Sequence, residues 1–131
     1  MIETLSVTEI LAVFIGLYLI SAGIGLLTDP KAFATVIDDL RENTTLGYVT
    51  GVLVFVLGAA MVAVHNLWTG PLAVAVSLVA WAALIEGVLM LAVRRRFLGL
   101  VKVFPSTAAT MVPLGIAGIV CGAVLVYAAL F

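Results

Sequence analysis

Four long stretches of the chain are apolar with hardly a charge among them, approximately Thr8 to Thr28, Leu46 to Val64, Leu72 to Val93 and Ala109 to Ala129. A helix needs about 20 such residues to cross roughly 30 Å of hydrocarbon at about 1.5 Å per residue, so each stretch predicts a transmembrane α-helix. The polar punctuation agrees. Asp29-Pro30 ends the first helix, Thr69 is the expected N-cap before Gly70-Pro71 opens the third, and Pro105-Ser106 precedes the fourth, where Pro113 falls in the first turn or makes a kink. The first and third connections carry a different pattern. Phe33, Val36, Ile37 and Leu40 recur at i, i+3, i+4 and i+7, and Phe97, Leu100, Val101 and Phe104 repeat that spacing. Both predict short amphipathic helices lying in the membrane interface, apolar side toward the acyl chains. The fold expected is all-α: one domain over residues 1–131, a four-helix transmembrane bundle with two short interfacial helices.

A shift of about 64 residues brings several of these features into register. The two interfacial patterns coincide, Gly23 meets Gly87, Gly51 meets Gly115, and Gly58-Ala59 meets Gly122-Ala123. The reading is a unit of span, interfacial helix and span used twice in one orientation, with halves 1–66 and 67–131 related by an approximate two-fold axis along the membrane normal. Identities at this shift are no more frequent than the composition would produce, so the reading rests on the placement of elements and glycines. Helices in lipid associate through close van der Waals contact, which small side chains permit. Gly118 and Gly122 on the fourth span, and Gly87 with Ala82 and Ala83 on the third, are the expected packing faces.

Composition supports a lipid environment: 65% of residues are apolar and 10% charged, with a mean hydropathy of +1.36, too few polar groups to cover a soluble domain of this length. A net charge of −1 sets nucleic acid aside as a partner. All six basic residues lie in the first and third connections, Lys31 and Arg41, then Arg94, Arg95, Arg96 and Lys102. Basic residues in short loops are retained in the cytoplasm, so both termini and the loop from His65 to Pro71 are expected on the non-cytoplasmic side. The N-terminus bears Glu3 and Glu9 and no Lys or Arg, the wrong charge for a signal peptide, so the first span is expected to persist. Trp68 and Tyr48 fit aromatic belts at the two interfaces, and the lone Cys121 reads as a small buried hydrophobe.

Few residues offer chemistry. Glu86 is the one ionisable side chain well inside a span, about 10 Å from the end of its helix. Such a charge at a helix centre costs about 2.5 to 3.5 kcal/mol on insertion scales and ordinarily faces a bundle interior, a cavity or a partner. Matching depths along the first and second spans predicts hydrogen bonding to Ser21 or Thr50. His65 and Asn66, beside Trp68, read as the polar end of the second span. One histidine with no Cys, His or carboxylate at ligand spacing predicts neither metal nor cofactor. Arg94, Arg95, Arg96 and Lys102 can face anionic lipid head groups at about 1 kcal/mol each.

At His65-Asn66-Leu67-Trp68, Ala80-Trp81 and Leu84-Ile85-Glu86-Gly87 the chain resembles a group of small bacterial four-helix inner-membrane proteins of unassigned function. The resemblance covers mainly the second and third spans and implies a bacterial inner-membrane location but no activity. Those proteins often carry a lysine near the place of Glu86, so no role transfers to that position. No nucleophile with a base and no ligand cluster points to an enzyme. The function expected is helix packing in the bilayer, as an accessory or assembly subunit of a membrane complex or as a homo-oligomer. The competing expectation is a minimal proton- or cation-coupled transporter or channel centred on Glu86.

Overall fold

The computed structural model describes residues 4–103 and 107–131 and is all-helical over them. Four long helices, α1 (Val7–Thr28), α3 (Thr44–Val64), α4 (Pro71–Ala92) and α6 (Ala108–Leu130), alternate with two short ones, α2 (Ala32–Glu42) and α5 (Arg94–Val101), so that the order is α1 α2 α3 α4 α5 α6. The four long helices are each long and apolar enough to cross a membrane. Local chemistry sets their ends. Ser6 and Glu9 form a reciprocal capping box at the start of α1, Asp29 closes it, and the Asn43 side chain caps α3 by accepting from Leu46 N–H. The N-cap of α4 is Gly70, not Thr69, because the turn into Pro71 needs φ of 95°, where only glycine is unstrained. Pro113 lies inside α6, in its second turn. Phe104, Pro105 and Ser106 lie outside the described residues.

The long helices form two antiparallel pairs, α1 with α6 and α3 with α4. Glycines set both contacts, and they do so at equivalent places. A methyl group on Gly23 would strike Ile119, and one on Gly87 would strike Phe55, which is Ile119 shifted by 64 residues. Gly115 lies against Leu27 as Gly51 lies against Leu91, and Gly122 against Ile20 as Gly58 against Leu84. Each of these six pairings maps onto its counterpart at the same shift. The two halves of the chain therefore have one packing plan, and each pair joins a helix from one half to a helix from the other.

Between the pairs, contact is concentrated at the end of the bundle that carries the termini and residue His65. Ala12, Ile15, Val76 and Ala129 form a buried core there, with Met61, Val79 and Leu125 against it. Ala12 and Val76, Ile15 and Val79, and Met61 and Leu125 are again 64 apart, so the approximate two-fold axis runs through this core. At the opposite, basic end α2 and α5 lie against one another, with Ile37, Leu98 and Met90 buried and Phe33 and Phe97, an equivalent pair, packed on them. Lys102 and Asp38 make an ion pair across the same contact. The expected amphipathic faces are thus turned partly toward each other and α4, although Val36 and Leu100 remain exposed.

Candidate functional site

The best-built polar site surrounds His65. Side-chain contacts place Val64 level with Ser77, since Gly58 packs against Leu84 and His65 bonds to Ser77. α4 therefore extends about six residues, or roughly 9 Å, beyond the end of α3, and residues 66–69 run beside its first turns outside any helix. Irregular backbone at such a depth is tolerated in lipid only where protein groups satisfy it. Ser77, fully buried, does this by donating from Oγ to the carbonyl of Leu67. Its remaining lone pairs face His65 Nδ1 at 3.1 Å, so the ring must donate there. In the neutral ring Nε2 is then bare and accepts from the Thr8 hydroxyl at 2.7 Å. His65 is 1% exposed. A single side chain thereby ties the first turn of α1 to α3 and α4.

Asn66 faces outward and its side-chain carbonyl collects both indoles of the chain, Trp68 Nε1 at 2.8 Å and Trp81 Nε1 at 3.2 Å. The His65-Asn66 pair is therefore more than a polar helix end. Its two neighbouring side chains clamp the connection, one inward and one outward. The shift of 64 residues makes Leu72, Ala129 and Val13 the counterparts of Thr8, His65 and Ser77, and all three belong to the apolar core. The approximate symmetry is broken chemically at this point: one half carries a hydrogen-bonded node where the other carries hydrocarbon.

Glu86 does not meet Ser21 or Thr50. It is exposed and, among the described residues, has neither hydrogen bond nor ion pair. Depth was the whole basis for pairing it with Ser21, and depth ignores rotation. At roughly 100° per residue Ser21 lies about 120° around α1 from Ile15, the residue that faces α4, and its hydroxyl is spent on the carbonyl of Leu17 in its own helix. Thr50 is half-buried, about one and a half turns closer to the basic end than Glu86. Glu86 follows Val79 by two turns on one face of α4, the face that covers α1 near the axis. Its counterpart on α1 is Ala22, also exposed. Ile15 and Val79 belong to the core that α1 and α4 share, whereas Ala22 and Glu86, two turns further along, are both exposed.

The expected packing residues are consumed within the chain. Gly87 lies on the backbone of Phe55, Gly122 on Gly16 and Ile20, and Gly118 near the Leu19 carbonyl. Cys121, one position from Gly122, falls on the flank of that face and is exposed rather than buried. At the basic end Arg94 is half-buried and reaches Leu40 O and Thr44 Oγ1, each at 3.5 Å, while Arg95 and Arg96 are exposed. The described residues contain no cluster of three or more His, Cys, Asp or Glu able to hold a metal. No family model, no curated protein and no solved structure matches this chain.

Proposed function

We propose that this chain is a non-enzymatic membrane subunit that works by lateral helix packing, either in a homo-oligomer or as an accessory or assembly subunit of a larger complex. The observation that carries the reading is Glu86. It stands within a span, exposed, and among the described residues it has no hydrogen-bond or ion-pair partner. A carboxyl placed in hydrocarbon costs about 2.5 to 3.5 kcal/mol, a cost that a donor from another helix offsets. The expected faces at Gly87, Gly118 and Gly122 do not supply the contact, since each is already filled from within the chain. In this reading the chain lies in a bacterial inner membrane with the arginine-bearing end in the cytoplasm and both termini on the other side.

A transporter centred on Glu86 draws less support, because the carboxyl stands exposed on a helix face and no second ionisable group is joined to it among the described residues. Mass determination of the assembly extracted in mild detergent tests the choice. Native protein should carry a second polypeptide, and Glu86→Leu should release it while remaining folded. A native protein that elutes as a lone monomer, together with Glu86-dependent proton flux in liposomes, would transfer the case to transport.

A further inference from the structure

We infer that the junction of α4 and α5 is a binding site for the phosphate head group of an anionic lipid. A hollow of about 400 Å³ opens there, walled by Thr44 and Tyr48 from α3, Leu91 from α4, and Arg94, Arg95 and Arg96 from the first turn of α5. Its two ends differ in chemistry. The α4 side is apolar and continues into the span, while the α5 side is walled by three consecutive arginines. Among the described residues none of the three is in an ion pair, and the one ion pair present joins Lys102 to Asp38. Asp39 and Glu42 face an adjoining hollow on the other side of Thr44 and leave the arginines unpaired.

The arrangement conflicts with helix electrostatics in a way that an anion resolves. Cations are disfavoured at a helix N-terminus, where the partial charge is already positive. Here three occupy the first turn, and no side chain caps the amides. Retention of basic residues on one side of a membrane accounts for their end of the bundle but not for their place on α5. Arg94 is held in position as well. Its stem crosses α3 at Gly47, where a methyl group would strike its Cδ, and its guanidinium rests between Leu40 O and Thr44 Oγ1. A phosphate seated against Arg94, Arg95 and Arg96 would leave its acyl chains on Leu91 and Tyr48, which is why the amphipathic hollow suits a lipid better than free phosphate.

Native mass spectrometry of the full chain released from mixed phosphatidylglycerol and phosphatidylcholine nanodiscs tests the site. Phosphatidylglycerol should be retained preferentially, and Arg95→Gln and Arg96→Gln should each weaken retention about fivefold. Both side chains are exposed, so folding should survive, and Lys102→Gln, an equal loss of charge outside the hollow, should leave retention unchanged. Equal retention of the two lipids, equal loss in Lys102→Gln, or binding of inorganic phosphate without phosphatidylglycerol would overturn the assignment.

Discussion

At the scale of single residues, the connection beside α4 depends on His65. Removing the ring would strand the Thr8 hydroxyl, take away a donor from Ser77 Oγ and empty a fully buried volume. His65→Ala should therefore destabilise the protein by about 2 to 4 kcal/mol, as a cavity and an unsatisfied group together cost. Thr8→Val, which removes one hydrogen bond at nearly constant volume, should cost about 0.6 kcal/mol, the average for such bonds between helices in a membrane. Thermal unfolding in detergent checks both, and the double variant should lose no more than His65→Ala alone. The partners of His65 were not legible in the sequence. Thr8 and Ser77 sit in spans that are apolar nearly all the way round, and such helices give no hydrophobic stripe from which to read a facing side. The same blindness misplaced Ser21 and buried Cys121.

Elements were far more legible. The boundaries of the four spans follow from apolar length and from Asp29-Pro30 and Gly70-Pro71, and they agree with the observed helices within about two residues. The short helices were readable because Phe33, Ile37 and Leu40 show a face against a polar background, which the spans lack. The glycine register was readable too, although sequence alone could not say which helices it joined. Its consequence at this scale concerns two neighbours on α1. Gly23→Ala would drive a methyl group into the carbonyl of Gly115, 2.5 Å away, whereas the methyl of Gly25→Ala meets nothing. Gly23→Ala should cost about 1 to 3 kcal/mol through separation of α1 from α6. Gly25→Ala should be neutral or stabilising by up to about 1 kcal/mol. Chemical denaturation of the two variants side by side checks the contrast.

For the molecule as a whole, the two halves share a packing plan, and two of the chemical differences between them place polar side chains within the spans. Near the axis Thr8, His65 and Ser77 replace the hydrocarbon of Leu72, Ala129 and Val13, and further along Glu86 replaces Ala22. The first difference is satisfied within the chain and fastens the pairs together. The second has no partner among the described residues and is exposed. His65 holds elements of the fold together, and in the function proposed above Glu86 is the group that meets a second polypeptide. The most direct measurement is a photo-crosslinking side chain at Ala22, which is exposed at the equivalent position of α1 and leaves Glu86 intact. In native membranes it should capture a second polypeptide, and the adduct should disappear with Glu86→Leu. Adducts confined to lipid, unchanged by Glu86→Leu, would contradict the account.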